Sequence, residues 1–216
     1  ACLRALRDGK THYTHSLGLI ELREAVCEHY HRRYGVTVGP DQVLITSGTS
    51  PAMQLLFAAI LEPGDEVIIS DPHYACYPNF IRFFDGVPVD VPVHEAEGFQ
   101  YTTPAIREKI TPRTRAVLIN SPSNPTGNLL DAGRMAEIAA LGLPVVSDEI
   151  YHGLVYGERE HSILEFTDNA FVLNGFSKAY AMTGWRLGYL IAPKPYIRPM
   201  QKIQQNLFIS ANAFVQ

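Results

Sequence analysis

The sequence predicts an α/β fold with a doubly wound, mostly parallel sheet of about seven strands and helices on both faces. Three observations support this prediction. Short apolar and β-branched runs recur along the chain, as expected for strands that are buried on both faces. Segments with helical periodicity separate these runs, so strand and helix alternate. The chain has 216 residues, 46% hydrophobic and 19% charged, which is enough for one sizeable core.

The predicted elements follow one another with short turns between them. The predicted strands are residues 42–46, 66–70, 87–93, 115–120, 143–147, 170–173 and 186–192. The predicted helices are residues 19–34, 52–61, 77–84, 103–110, 131–141 and a final helix from about 196. Pro88 and Pro92 favour an edge position for the third strand. We expect Ser50 and Asp131 to cap the helices that follow them.

Composition and charge exclude several classes of protein. The net charge of −4 gives no reason to expect binding to nucleic acid or to an anionic membrane. The apolar stretch at 52–61 is too short to cross a bilayer, and no secretory signal opens the sequence. Three cysteines without paired spacing indicate a reducing compartment. We therefore expect a cytoplasmic protein, and no metal-ligand pattern is present.

The segment 174–189 contains the residues with the most specific chemistry. Lys178 lies between small and aromatic residues without an acidic neighbour in sequence, and burial there would lower its pKa. Such an amine can attack a carbonyl and form a Schiff base. Arg186 follows on the same segment, and its planar, charged fork suits a phosphate. The pair suggests pyridoxal phosphate (PLP), although either residue alone would more often be a solvated surface residue.

The turn after the first strand predicts an anion-binding site. Ser47, Gly48, Thr49 and Ser50 connect a strand to a helix, so free amides, hydroxyls and the positive end of the helix dipole converge there. A plain capped helix explains this motif equally well.

Polar residues also follow other predicted strands. Tyr74 could stack on a flat ring at the carboxyl edge of the sheet, or it could be a core tyrosine. Asn124 is held between restricted proline-rich segments, which suits a well-oriented hydrogen bond. Asp148 and Glu149 come directly after an apolar strand, and one of them is expected to hold a cation. A role for Asp148 as a helix cap is the competing interpretation.

Taken together, these motifs resemble the large domain of class I/II PLP-dependent aminotransferases, the aspartate-aminotransferase-like family of fold type I. The resemblance covers residues from about 11 to 193 and keeps the order of the family's motifs. These motifs are Tyr13 with Gly18 and Leu22-Arg23-Glu24-Ala25, Ser47-Gly48-Thr49, Pro72-His73-Tyr74, Asn124-Pro125-Thr126-Gly127, Asp148-Glu149-Ile150-Tyr151, and Ser177-Lys178 with Gly184-Trp185-Arg186-Leu187-Gly188-Tyr189.

The resemblance implies roles around the cofactor ring. Lys178 is expected to bond to the cofactor and then to move a proton between the substrate and the cofactor. Asp148 is expected to pair with the pyridinium nitrogen. Asn124 and Tyr151 would hydrogen-bond the phenolate oxygen, and Tyr74 would stack on the ring.

The resemblance also implies how the phosphate is held. Gly48, Thr49, Ser50 and Arg186 are expected to bind it. Ser177 is an additional candidate. The chain departs from the family nearby, since Gly175 stands where many members have a phosphate-binding serine.

Domain organisation and oligomeric state are implied in the same way. Residues 1–195 would form the PLP-binding large domain without the family's N-terminal arm. Residues 196–216 would begin an interdomain helix, with the C-terminal small domain and its carboxylate-binding arginine outside the sequence. In the family, Tyr13 would reach the phosphate of the neighbouring subunit, which implies a homodimer.

The implied function is transfer of an amino group between an L-amino acid and a 2-oxo acid. A PLP-dependent lyase or decarboxylase on the same fold remains an alternative, because these enzymes share nearly all of the motifs. A truncated PLP-binding module without turnover is a second alternative. A nicotinamide dehydrogenase is disfavoured, because no Gly-x-Gly-x-x-Gly fingerprint follows the first strand.

Overall fold

A computed structural model describes all 216 residues and confirms the predicted α/β class, with seven strands in one mixed sheet and seven α-helices. The strands are β1 (Val43–Thr46), β2 (Glu66–Asp71), β3 (Val87–Pro92), β4 (Thr114–Asn120), β5 (Val145–Asp148), β6 (Ala170–Gly175) and β7 (Gly188–Ile191). The helices are α1 (Cys2–Arg7), α2 (Ile20–Tyr34), α3 (Thr49–Ile60), α4 (Tyr77–Phe83), α5 (Thr103–Lys109), α6 (Ala132–Ala139) and α7 (Lys194–Leu207). Only α1, which buries no side chain, has no counterpart among the predicted helices.

The chain forms two compact units. The first unit comprises Ala1–Ala59 and Leu173–Gln216, and the second comprises Ile60–Val172.

In the first unit, β1 pairs antiparallel with β7, and Thr46 lies opposite Gly188. The sheet is mixed, because this pair is antiparallel whereas the pairs among β2, β3, β4 and β5 are parallel. A Cβ on Gly188 would lie 2.9 Å from the carbonyl carbon of Gly48, so only glycine permits this approach of the two backbones. Helix α2 buries Tyr30, whose ring meets Tyr189 edge-on at 6.3 Å. These contacts fix the start of β7 beside the turn that follows β1.

In the second unit, four strands pair in parallel in the order β5-β4-β2-β3, and β3 lies at the edge as predicted. Asn120 at the end of β4 lies opposite Asp148 at the end of β5. Because the strands are parallel, the polar residues that end them meet at one edge of the sheet. The strand core beneath this edge is apolar and fully buried. Its members include Val67, Ile68, Ile69, Val117, Ile119, Val145 and Val146.

Of the two predicted helix caps, the structure contains the one at Asp131 and not the one at Ser50. Asp131 caps α6 as predicted, since its Oδ1 accepts a hydrogen bond from the amide of Arg134 at 2.8 Å. The predicted cap at Ser50 is wrong, because α3 already begins at Thr49 and Ser50 lies in its first turn. Gly48, with a φ of +104°, makes the sharp change of direction there, so the helix begins one residue after it.

Candidate functional site

In the first unit, Gly48 and Arg186 form a corner at the amino-terminal end of α3. A Cβ on Gly48 would lie 2.6 Å from Nη2 of Arg186, so the guanidinium packs directly against the glycine backbone. The positive φ of Gly48 is a second reason why a larger residue is disfavoured there. The first turn of α3 carries Thr49 and Ser50, whose amides lack partners within the helix. We call this group the α3 corner: Gly48, Thr49, Ser50 and Arg186.

The backbone conformation of Arg186 holds its side chain at this corner. Arg186 has a φ of 54° and follows a 3₁₀ turn at Thr183–Trp185. Its Nη1 donates to the carbonyl of Thr183 at 2.9 Å, and its Nη2 lies 3.5 Å from the carbonyl of Ser47. A guanidinium has five N–H donors, so this exposed side chain retains donors for an anion. The α3 corner thus combines a cation, helix amides and hydroxyls.

Lys178 lies just beyond β6 in the same unit. Burial decreases along this segment, from buried at Gly175 through half-buried at Phe176 and Ser177 to exposed at Lys178. The expectation that burial acts on Lys178 is therefore wrong for this structure. The segment leaves the core after Phe176, whose ring packs 5.9 Å from that of Tyr189.

Tyr13, the residue expected to reach a second subunit, also belongs to the first unit. Its side chain is 76% exposed.

In the second unit, the carboxylate of Asp148 is buried and receives one hydrogen bond on each oxygen. The hydroxyl of Tyr77 donates to Oδ2 at 2.8 Å, and the amide of Ile150 donates to Oδ1 at 3.2 Å. Burial raises the pKa of Asp148, and these two hydrogen bonds oppose the rise, which leaves the pKa at about 6. The nearby charge of Glu149 raises the pKa further, whereas His152 lowers it. Within this unit, the carboxylate of Asp148 thus accepts hydrogen bonds from the Tyr77 hydroxyl and the Ile150 amide.

Asn120 connects Asp148 to the proline-rich loop that carries Asn124. Its Nδ2 donates to the backbone carbonyl of Asp148 at 2.9 Å, and its Oδ1 accepts from the backbone amide of Asn124 at 2.7 Å. The Nδ2 of Asn124 in turn donates to the hydroxyl of Tyr151 at 3.3 Å. The structure thus brings together three predicted residues, namely Asp148, Asn124 and Tyr151. Asn120 was not among the site residues predicted from the sequence, although a polar residue at the end of the apolar β4 was a usable signal.

Tyr74 contacts the same group from the segment before α4. Its ring meets that of Tyr77 edge-on, with centroids 5.4 Å apart and an interplanar angle of 79°. The side chain of Tyr74 is 39% exposed, so it is not a core tyrosine. A hydrogen bond with the thiol of Cys76, assisted by burial, raises the pKa of Tyr74 to about 12. Tyr77 is a second residue that sequence reasoning missed.

Glu149 is fully buried and ties β5 to the loop that follows it. Its Oε1 accepts from the hydroxyls of Ser147 and Ser162 at 3.1 and 2.9 Å, and from the amide of Ile163 at 3.0 Å. Its Oε2 lies 3.5 Å from Nδ1 of His152. Burial raises the pKa of Glu149, while His152 and the hydrogen bonds oppose the rise. The acid beside Asp148 therefore anchors the loop that carries Tyr151.

No helix of this chain has both the length and the apolar character needed to cross a membrane.

The three cysteines, Cys2, Cys27 and Cys76, are free.

Comparison with known proteins identifies the family. A family model described as aminotransferase class I and II matches residues 4–215. A (5-formylfuran-3-yl)methyl phosphate transaminase from Methanocaldococcus jannaschii is 43% identical over 99% of this chain and 56% of its own length. An aspartate/prephenate aminotransferase from Thermus thermophilus is 40% identical over 100% of this chain and 57% of its own length.

Solved structures agree with these matches. A tetra mutant of Thermus thermophilus aspartate aminotransferase superimposes with a TM-score of 0.97 and 40% identity, over 99% of this chain and 60% of that one. This chain spans 56–57% of the length of the two curated relatives described above. The model match and the conserved fold lead to the same conclusion: the chain belongs to the aminotransferase class I and II family.

Proposed function

We propose that the protein to which this chain belongs is a PLP-dependent aminotransferase that moves an amino group between an L-amino acid and a 2-oxo acid. Membership of the family supports amino-group transfer. The observation that carries the proposal is the contact between Arg186 and Gly48 at the start of α3. A guanidinium packed on a glycine beside open helix amides suits a bound phosphate monoester.

The α3 corner is the proposed phosphate site. Gly48, Thr49 and Ser50 would offer amides and hydroxyls, and Arg186 would offer the remaining donors of its fork. Ser177 is a further candidate from the segment after β6. The donor set fits a dianionic phosphate, because every member is a hydrogen-bond donor and the only charge is positive.

The second unit supplies the proposed contacts to the cofactor ring. Asp148 would accept a hydrogen bond from the ring nitrogen, and an ionised carboxylate there would keep that nitrogen protonated. Its pKa of about 6 means that it is mostly ionised at neutral pH despite its burial. Asn124 and Tyr151 would donate to the phenolate oxygen, and Tyr74 would stack on the ring face.

Lys178 is the proposed catalytic base. When bound, pyridoxal phosphate supplies an aldehyde for the substrate amine and an electron sink for charge that develops at the α-carbon. In the resting protein, Nζ of Lys178 would be bonded covalently to the aldehyde carbon of the cofactor. After the substrate amine has displaced it, Nζ would accept the α-proton of the substrate. Its exposed position suits an amine that must exchange partners during each turnover.

We further propose that the protein acts as a homodimer. The exposed side chain of Tyr13 supports this, since it is available to a neighbouring subunit. Free cysteines support a reducing, cytoplasmic location. The proposed PLP-binding domain spans residues 1–195, and residues 196–216 would begin the connection to a small domain.

The test is to add PLP to the chain and to its Lys178→Ala variant. We expect a visible absorption band from lysine-bound cofactor in the first and its complete loss in the second. Borohydride reduction followed by mass spectrometry should locate the adduct on Lys178. Lys202→Ala, which removes an exposed lysine of α7, is the matched control and should keep the band. A band that survives Lys178→Ala would refute the assignment.

A donor screen on the whole protein separates the reaction classes. An aminotransferase converts at most one equivalent of donor amino acid per cofactor to its 2-oxo acid by itself, and it turns over repeatedly only when a 2-oxo acid acceptor is present. Loss of the α-carboxylate or of a β-substituent would instead indicate a decarboxylase or a lyase.

A further inference from the structure

Tyr77 is a buried residue that the proposed chemistry does not yet use. It begins α4, and only 2% of its surface is exposed. Its hydroxyl nevertheless meets a polar partner, Oδ2 of Asp148, at 2.8 Å. A buried tyrosine hydroxyl needs such a partner, but here the partner is a carboxylate rather than a backbone carbonyl.

The two donors on Asp148 together fix the plane of its carboxylate. Tyr77 holds Oδ2, and the amide of Ile150 holds Oδ1 at 3.2 Å. A single donor would leave the group able to turn about its Cβ–Cγ bond. Each oxygen of an ionised carboxylate accepts about two hydrogen bonds, so one position on each remains open. The carboxylate is therefore oriented and still able to accept from a ligand.

Tyr77 also supports the neighbouring Tyr74. The two rings meet edge-on at 5.4 Å, a geometry that aromatic pairs favour. Because Tyr77 is buried and Tyr74 is part-exposed, the ring of Tyr77 supports the ring of Tyr74 from its buried side. One side chain thus touches both the acid and the aromatic residue proposed to contact the cofactor ring.

We propose that Tyr77 is a positioning residue for the cofactor ring: its hydroxyl orients the carboxylate of Asp148, and its ring supports Tyr74. The inference rests on the proposed function, because it assigns Tyr77 to the same ring. The other ionisable side chains of this unit that interact electrostatically with Asp148 include Glu149, His152 and Tyr74, and none of these three donates a hydrogen bond to its carboxylate oxygens. Tyr77 is the only side chain in the unit that donates to them.

The test compares Tyr77→Phe with Tyr101→Phe. Tyr77→Phe keeps the ring against Tyr74 and removes only the donor to Asp148. Tyr101 is an equally buried tyrosine of the same unit, and its hydroxyl donates to the carbonyl of Leu118 at 2.8 Å. Both variants lose one buried hydroxyl, so a general loss of stability affects both, and only the first alters Asp148.

The first measurement is the pH titration of the Asp148 carboxyl carbon by NMR in the chain without PLP. The signal is assigned by its absence in Asp148→Asn. We expect Tyr77→Phe to move the midpoint upward by at least about half a pH unit, because a donor to the ionised form has been lost. Tyr101→Phe should leave the midpoint unchanged. Equal midpoints in all three proteins would overturn the proposal.

The second measurement is the dissociation constant for PLP. We expect Tyr77→Phe to weaken binding roughly tenfold and Tyr101→Phe less than twofold, the former being the size of one hydrogen bond to a charged group. Tyr77→Leu, which also removes the support of Tyr74, should weaken binding further. Equal affinities for the two phenylalanine variants would overturn the proposal. If the whole protein with its unaltered sequence binds no PLP, the proposed function fails, and the carboxyl titration still decides whether Tyr77 orients Asp148.

Discussion

The α3 corner of the first unit and the surroundings of Asp148 in the second are built in opposite ways. The corner is made from backbone amides, a glycine and one arginine, and its charged group is exposed. The Asp148 region is made from buried side chains that hydrogen-bond one another. An exposed anion site adds little to folding, whereas a buried polar network contributes to folding and is costly to break. Changes in the second unit should therefore affect stability most, and changes at the corner should affect binding most.

The largest effect on stability is expected at Glu149. Glu149→Ala removes the acceptor of two buried hydroxyls and one amide, and it also removes the contact of Glu149 with His152. We expect a loss of about 3–5 kcal/mol in the free energy of unfolding, as for other broken buried pairs. Chemical denaturation followed by circular dichroism measures it.

An exposed glutamate of the same unit provides the control. Glu137 pairs with Arg134 at 3.1 Å on the surface of α6. Glu137→Ala should cost less than about 1 kcal/mol. Equal losses for the two variants would contradict the contrast between buried and exposed charge.

The next effect is the pH dependence that Asp148 imposes on stability. Its pKa is about 6 in the folded chain against an ordinary value of 3.8, so folding favours the protonated form. Its stabilising contribution is therefore complete below a pH of about 4 and is lost as the pH rises to about 6. A shift of this size corresponds to about 3 kcal/mol.

Asp148→Asn keeps the shape of the side chain and removes its titration. We expect the unaltered chain to lose about 3 kcal/mol relative to this variant as the pH rises from about 4 to about 7. Denaturation curves at several pH values measure the difference. Parallel stability profiles would show that burial does not act on Asp148 in this way.

The smallest effect on stability is expected at the α3 corner. Gly48→Ala should cost about 1–3 kcal/mol, because alanine disfavours a φ of +104°. Its methyl group would also displace the guanidinium of Arg186, so PLP affinity should fall at least tenfold with the loss of a charge-assisted contact. Calorimetric titration with PLP measures the second effect.

Gly35→Ala is the control that separates the effect of an unfavourable backbone conformation from the effect of displacing the Arg186 guanidinium. Gly35 ends α2 with a φ of 72°, and a Cβ there would meet nothing within 4 Å. We expect a similar loss of stability with unchanged PLP affinity. If both variants weaken binding equally, the contact between Gly48 and Arg186 does not form the phosphate site.

Local sequence signals predicted most of the fold, and their failures have physical causes. Asp131 was recognised as a cap because its side chain acts on an amide three residues away. The cap was wrongly placed at Ser50 because the sequence does not reveal the φ of +104° at Gly48, after which α3 begins. Gly48 adopts this conformation where Gly188, 140 positions later in the chain, approaches it closely. The exposure of Lys178 was missed for a similar reason, since a local sequence does not reveal where a segment leaves the core.

The sequence by itself determined the class of fold, the order of the strands along the chain and the residue types that carry the chemistry, because periodicity, turn residues and motifs are local properties. Only the tertiary structure decided that Tyr77 and Asn120 join Asp148, that Glu149 anchors a loop, and that Arg186 packs on Gly48. These contacts join residues far apart in the chain, and their energies depend on burial and orientation, which arise only when the strands have assembled.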